Sequence, residues 1–321
     1  MNRIYRSYFM TFWALFLAGT VLAFAAVELV DPKGENDFSI GLERNYFSSV
    51  LNAQRQLQTL SVRPSAVIFG TSRSAYLSPD VIGTSVINMQ VIYANPHAVL
   101  DFLGRLDDTQ ISNITEIYYL LDYFTFNGER NYDRVDYEST VERLVYKIKS
   151  LGLGKIQLAW QKIINNLTDS DMSYVTVDGY LMAISENTFD GKVGGEPYPQ
   201  DFQEDTVGEL SKVDAFAKQH GVAITYFMAP FPEATLGRLD FGRHALFSRS
   251  VLKHIDGFYD WTYVESMSRF ADQFSDGAHV KYALLKRLFQ ELRTPEYYVD
   301  GGNVGTHLKK LRPHFDKVDL R

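Results

Sequence analysis

The chain has 321 residues, 45% of them hydrophobic and 22% charged, with a formal net charge of −7. That length supports a good-sized core in one or two domains, and the acidic balance argues against nucleic-acid binding, which needs a basic surface. No cysteine is present, which excludes disulfides, thiolate catalysis and zinc–thiolate sites.

From Tyr8 to Val27 there are twenty residues without a charged side chain. At 1.5 Å per residue such a helix crosses the hydrocarbon core of a bilayer. Arg3 and Arg6 precede it and Glu28 and Asp31 follow it, a charge order that places the N-terminus in the cytoplasm and the rest of the chain outside. Residues 1–30 therefore read as an uncleaved transmembrane anchor. A cleavable signal peptide is the competing reading, because Ala23-Phe24-Ala25 resembles a small-residue cleavage site. Residues 31–61 open with a polar linker carrying Pro32 and Gly34, and the spacing of Leu51, Leu57 and Leu60 predicts a helix over 43–60.

Five short apolar runs then suit buried parallel strands: Ala66–Phe69, Ser85–Met89, Glu116–Leu121, Val222–Met228 and Gly257–Trp261. Helical patterns over Pro96–Leu106 and Val207–His220 lie between them, and a last helix is expected from Lys281 to Phe289. Alternating strand and helix predict an α/β domain over 62–295 with a doubly wound parallel sheet. The stretch 128–205 is too long for one crossover. Within it Val141–Leu151 and Lys155–Leu167 have helical periodicity and 184–205 reads as a loop. This insertion is either a lid or wall of a site or an extra helical layer. Residues 296–321 form a tail in which Tyr297, Tyr298 and Val299 precede glycines and a basic cluster, Lys309, Lys310 and Arg312, that reads as solvated surface.

The chemistry concentrates at two places. The first apolar run leads into Gly70-Thr71-Ser72-Arg73-Ser74, and far down the chain stands Asp276-Gly277-Ala278-His279. A serine that follows a strand is exposed at the sheet's carboxyl edge, where open α/β sheets place their sites. Its hydroxyl needs a base, and the base needs a group that orients it. Ser72 as nucleophile, His279 as base and Asp276 as orienter meet that need in the order Ser…Asp…His. Capping of a helix is the other role open to Ser72 or Thr71 and to Asp276. The other six histidines, at 97, 220, 244, 254, 307 and 314, stand in no such motif and read as surface or packing residues.

Gly70-Thr71-Ser72-Arg73-Ser74, Val86-Ile87-Asn88-Met89, Tyr119-Leu120-Leu121-Asp122-Tyr123-Phe124 and Phe274-Ser275-Asp276-Gly277-Ala278-His279 together resemble the blocks of the SGNH (GDSL-like) hydrolase superfamily. The likeness is closer to its membrane-anchored bacterial branch, which includes the proteins that O-acetylate alginate and other envelope polysaccharides and the one that D-alanylates teichoic acid. The resemblance covers residues 62 to 292 and implies a flavodoxin-like three-layer sandwich with a five-stranded parallel sheet. The chain departs from the family after Asn88, where no glycine follows, and at Asp122-Tyr123, where there is no Gly-x-Asn. Donors to a developing oxyanion would then be the backbone N–H of Ser72 or Arg73, with Asn88 or Gln90 as side-chain candidates, and Asp122 of the third block is grouped with Arg73, Asn88 and Gln90 as facing substrate or oxyanion. Arg73 is open to two readings: a bidentate contact to an anionic group of the substrate, or a salt bridge to Asp122 or Asp80.

The resemblance implies a membrane-anchored acyl-transfer enzyme, with its domain periplasmic or otherwise extracytoplasmic on the bacterial inner membrane. Its task would be O-acetylation of an envelope or secreted polysaccharide, with acyl groups delivered by a multi-spanning membrane O-acyltransferase partner. A hydrolase using water as acceptor and a non-catalytic glycan-binding or complex-anchoring protein are the alternatives. The aromatic segments Tyr118–Phe126 and Tyr226–Phe231 could stack on sugars, although most of these rings are expected in the core. The spacing of Asp122, Asp133 and Asp136 fits no metal loop, and no metal or cofactor is expected.

Overall fold

The computed structural model describes residues 3–30, 65–74, 77–89, 95–104, 106–127, 160, 174–177, 180–183, 189–193 and 198–315. The helices predicted over 43–60, Val141–Leu151 and Lys155–Leu167 lie outside the described residues, apart from Trp160, which is helical.

The N-terminal helix α1 (Arg3–Val30) contains Ser7–Val27, long and apolar enough to cross a membrane, a property that a signal sequence shares. The domain is built on a six-stranded sheet. Its strands are β1 (Ala66–Phe69), β2 (Val86–Met89), β3 (Glu116–Leu120), β6 (Ala223–Met228), β7 (Gly257–Asp260) and β8 (Tyr298–Asp300), in the order β2-β1-β3-β6-β7-β8. The first five pair in parallel, and each falls within a run predicted from the sequence. Strands buried on both faces read as continuous apolar runs, which is why Ala66-Val67-Ile68-Phe69 was legible without any alternation. A separate antiparallel pair, β4 (Tyr174–Val177) with β5 (Tyr180–Ala183), occupies part of the 128–205 insertion.

Successive residues of the parallel strands feed two hydrophobic clusters, one on each face. Val67, Phe69, Ile87, Ile117 and Tyr119 point to one cluster, and Ala66, Ile68, Val86, Tyr118 and Leu120 to the other. The first is covered by Val99 and Phe102 of α2 (Pro96–Leu103), Val213 and Ala217 of α3 (Leu210–His220) and Phe247 of α4 (Phe241–Val251). Pro96 opens α2 and Asn95 caps it by accepting from Ala98 N at 2.9 Å. The second cluster receives Leu285, Leu288 and Phe289 of α5 (Tyr282–Glu291), the helix predicted after His279.

The expectation of five strands with a separate tail needs correction. Strand β8 comes from that tail and runs antiparallel to β7, so the sheet is mixed. Three residues are too few to give a strand signal, yet Val299 is fully buried in the first cluster. Close approach is possible because position 257 is glycine: a Cβ there would stand 2.5 Å from the Tyr298 hydroxyl and 2.7 Å from the Val299 carbonyl. The helix α6 (Val304–Leu311) then returns over the sheet edge. Lys309, Lys310 and Arg312 are exposed, as predicted for solvated surface.

The returning segment is held by buried charge. His307 Nε2 donates to Asp260 Oδ2 at 3.0 Å. His244 Nε2 faces the same oxygen at 3.5 Å, too long for a good hydrogen bond, while its Nδ1 lies 2.6 Å from the Tyr123 hydroxyl. Asp260 Oδ1 accepts from Thr262 N at 2.9 Å. Burial alone would raise the Asp260 carboxyl, but the two imidazoles outweigh it and hold this group well below the usual carboxylate range. Two histidines read from the sequence as surface or packing residues are thus partners of a buried carboxylate. Removing one partner of a buried charge leaves it unsatisfied. His307→Ala is expected to cost about 2 kcal/mol in urea unfolding at neutral pH, and the cost should shrink in an Asp260→Asn background, where no charge is left to compensate.

Candidate active site

The strand order reverses between β1 and β3, the position where open α/β sheets form a crevice outside their carboxyl ends. Ser72 follows β1 there. It opens a single 3₁₀ turn, Ser72–Ser74, closed by Ser74 N and Ser74 Oγ, both donating to the Thr71 carbonyl at 2.9 and 2.8 Å. The turn packs closely on Gly70: a Cβ there would overlap Ser74 Oγ and stand 3.0 Å from Leu120 Cβ.

The Asp276–His279 loop is shaped by its own carboxylate. Asp276 Oδ1 accepts from Ala278 N at 2.7 Å and His279 N at 2.9 Å, which folds the loop back on itself. Asp276 Oδ2 lies 2.7 Å from His279 Nδ1, and His279 Nε2 lies 2.7 Å from Ser72 Oγ. An ionised carboxylate only accepts, so in the neutral imidazole the proton sits on Nδ1 and Nε2 is left to accept from the serine hydroxyl. Burial by itself would raise the Asp276 carboxyl. The His279 hydrogen bond and charge, with the two backbone N–H groups, outweigh it and bring this group down to about 2. The helix that follows has Lys281 at its N-cap position, so Asp276 caps its own turn and not that helix.

The loop's base is closed by a bridge between Phe274 and Val280 and by Ser275 N donating to the His279 carbonyl at 2.9 Å. Two further side chains hold its tip. Thr235 Oγ1 donates to the Gly277 carbonyl at 2.6 Å, and Arg73 Nε donates to the Ala278 carbonyl at 3.2 Å. Ser72 and His279 are half-buried, whereas the Asp276 side chain is 55% exposed.

Arg73, Asp122 and Asn88, expected to touch substrate or oxyanion, are engaged within the protein. The Arg73 side chain is 3% exposed and turned inward. Its Nη1 donates to Asp122 Oδ1 at 3.2 Å, its Nη2 to the carbonyls of Ala229 and Pro230 at 2.6 and 3.0 Å, and its guanidinium lies 3.7 Å from the centre of the Phe231 ring. Of the readings open for Arg73, the salt bridge to Asp122 is the one present. Asp80 instead contacts Tyr282 and Gln290. Asp122 is fully buried and accepts also from Thr71 Oγ1 at 2.9 Å and from the Tyr198 hydroxyl at 3.0 Å, so it faces no ligand. Asn88 Nδ2 is occupied by the carbonyls of Ser74 and Leu77, at 2.7 and 3.1 Å, and braces the serine turn from below. The Arg73 N–H turns to Thr71 Oγ1 at 3.3 Å, while no described residue accepts from the Ser72 N–H. Gln90 lies outside the described residues.

The described rings of the aromatic segments are interior. Tyr118, Tyr119, Tyr123, Phe126, Tyr226, Phe227 and Phe231 are all buried, which removes them as a sugar-stacking surface. Thr71, Tyr198 and Thr235 hold the site without having been singled out for it. Among the described residues no group of three or more His, Asp or Glu side chains is placed to hold a metal ion. No family model matches the chain, and no curated protein matches it significantly.

Two outcomes follow. Gly70→Ala forces Ser74 and Leu120 apart and is expected to cost about 1–3 kcal/mol, read from thermal melts. The Asp276 carboxyl titrates lower in the folded chain than in the unfolded one, so its stabilisation is complete above the unfolded value and is lost as pH falls through about 2. The stability gap between wild type and Asp276→Asn should therefore be flat at neutral pH and close on acidification below about pH 4, as measured by urea unfolding at each pH.

Proposed function

We propose that this chain is an SGNH-type acyl-transfer enzyme with a flavodoxin-like three-layer sandwich, held at the bacterial inner membrane by α1 with its domain on the extracytoplasmic side. The observation that carries the reading is the unbroken chain Asp276–His279–Ser72, with 2.7 Å at both links, at the crevice where the strand order reverses. The order Ser…Asp…His and the four sequence blocks support the SGNH assignment. The substrate class rests on the likeness to the alginate- and teichoic-acid-modifying branch.

In the first half-reaction Ser72 gives its proton to His279 Nε2 as Oγ bonds to the acyl carbon. Asp276 stabilises the imidazolium, and the Ser72 N–H faces the developing oxyanion. Collapse expels the donor's leaving group, which takes the proton back from His279. In the second half-reaction a polysaccharide hydroxyl passes its proton to His279 and attacks the ester, and collapse returns the proton to Ser72 Oγ. The acyl group, acetyl in the simplest case, would reach Ser72 from a multi-spanning membrane acyltransferase partner.

Hydrolysis by the same residues is the second reading. It is favoured by the exposure of Asp276 and the half-exposure of Ser72 and His279, which leave water a path to the ester.

Ser72→Ala, His279→Ala and Asp276→Ala should each abolish acylation of the polysaccharide in a folded, membrane-bound protein, and the losses should not add. Wild type incubated with a small chromogenic acetyl ester should hydrolyse it slowly, then lose the acyl group faster when oligosaccharide is added, with an acetylated sugar as product. Fast hydrolysis indifferent to glycan would make the protein an esterase. No turnover at all, with Ser72 inert to a fluorophosphonate, would leave a glycan-binding or anchoring role. A periplasm-dependent reporter fused after Arg321 should be active, and activity of a cytoplasm-dependent one would reverse the orientation.

A further inference from the structure

The hydrogen bonds of Arg73 reach both halves of the candidate site. Its backbone belongs to the serine turn, adjacent to Ser72, and its Nε donates to Ala278, adjacent to His279. The same guanidinium reaches Asp122 after β3 and the carbonyls of Ala229 and Pro230 after β6. Four loops that leave the sheet at its carboxyl edge therefore converge on one rigid plane of donors. Asp122 fixes that plane in turn, since Thr71 and Tyr198 saturate the carboxylate oxygens that Arg73 leaves open. The Phe231 ring lies against the guanidinium, and the Tyr198 ring is 5.7 Å from it.

We infer that Arg73 is a positioning residue: bound to Asp122 and to the Ala278 carbonyl, it sets the separation of the serine turn and the Asp276–His279 loop, and so keeps His279 Nε2 on Ser72 Oγ. The inference rests on the acyl-enzyme reading above. The planar fork carries the role, because its donors address the carbonyls of two loops and the carboxylate of a third at fixed angles. A lysine ammonium keeps the charge and cannot reproduce those directions. A misplacement of about 1 Å between a nucleophile and its base costs on the order of 10²-fold in rate.

The test is the rate of fluorophosphonate labelling at Ser72, measured on the folded fraction well below the melting temperature, with kcat and KM for a small acetyl ester alongside. Wild type should label and Ser72→Ala should not. Arg73→Gln should label on the order of 10²-fold more slowly and lower kcat with little change in KM, and Arg73→Lys should not restore the rate. Tyr198→Phe and Thr71→Val each remove one hydrogen bond to Asp122 and keep the ion pair. They should fold where Arg73→Gln does not, and label several-fold more slowly than wild type.

Folded variants that label at the wild-type rate would overturn the positioning role while leaving the acyl-enzyme standing. A raised KM with unchanged labelling would overturn it in favour of a substrate anchor, and rescue by Arg73→Lys in favour of charge alone. A wild type that does not label would remove the acyl-enzyme, and the inference with it.

Discussion

The ion pair between Arg73 and Asp122 lies where the strand order reverses, with side chains 3% and 0% exposed, and the site is arranged around the need to satisfy it. Two charges taken out of water are costly unless every donor and acceptor finds a partner, and breaking such a pair by removing one side costs about 3–5 kcal/mol. Here the partners are drawn from the loops that must be held still. Thr71 belongs to the turn carrying Ser72, Ala278 to the loop carrying His279, and Ala229 and Pro230 to the chain leaving β6. Satisfying the charges and fixing the loops are the same set of hydrogen bonds. A hydrophobic pair at these positions would pack as well but would have no directional hold on the Ala278 carbonyl.

The buried parallel strands were legible because burial on both faces leaves uninterrupted apolar runs such as Ala66–Phe69, and helix α5 because its apolar spacing follows directly on His279. Strand β8 was not. It is three residues long, only Val299 is fully buried, and it stands among glycines that look like a tail. The pairing of Ser72, Asp276 and His279 was readable from chemistry and chain order, since few combinations of residue types can activate a hydroxyl. The partner of Arg73 was readable in principle. Phe69 pairs with Tyr119 in register, so residues a few places beyond each, Arg73 and Asp122, emerge side by side at the same edge. Asp80 lies closer in sequence but is engaged by Tyr282 and Gln290 instead. His244 and His307 had no comparable signal, because their partner Asp260 is reached only through the folded sheet and stands in no shared motif with either.

That second network touches the first through adjacent residues. Tyr123, whose hydroxyl meets His244, directly follows Asp122, so the chain leaving β3 carries two adjacent side chains that serve different buried charges. Asp260 is held by His307 from α6, and the backbone N–H of Asp260 donates to the Tyr297 carbonyl at 2.9 Å. The C-terminal segment is therefore tied by both bonds to Asp260, the last residue of β7.

What would separate transfer from hydrolysis is how an acceptor hydroxyl competes with water for the acyl-enzyme, and orientation of the acceptor supplies most of that advantage. The described rings of the aromatic runs do not provide it, because they are in the core. The 128–205 insertion is better placed. It departs after Phe126, whose carbonyl accepts from Gln203 N at 2.9 Å, so the chain re-enters the fold beside the point where it left. Just before that return Tyr198 donates to Asp122 and packs edge-on against Phe231 at 5.0 Å between ring centres. Both ends of the insertion are thus tied to the carboxyl edge of the sheet, one of them to the ion pair that braces Ser72 and His279. A long connection anchored in this way keeps its base at the site, and the elements that position an acceptor in α/β enzymes are the loops at that edge. On the proposed acyl-transfer reading, acceptor preference would be set by the insertion, and the reactivity of Ser72 by the charges beneath it.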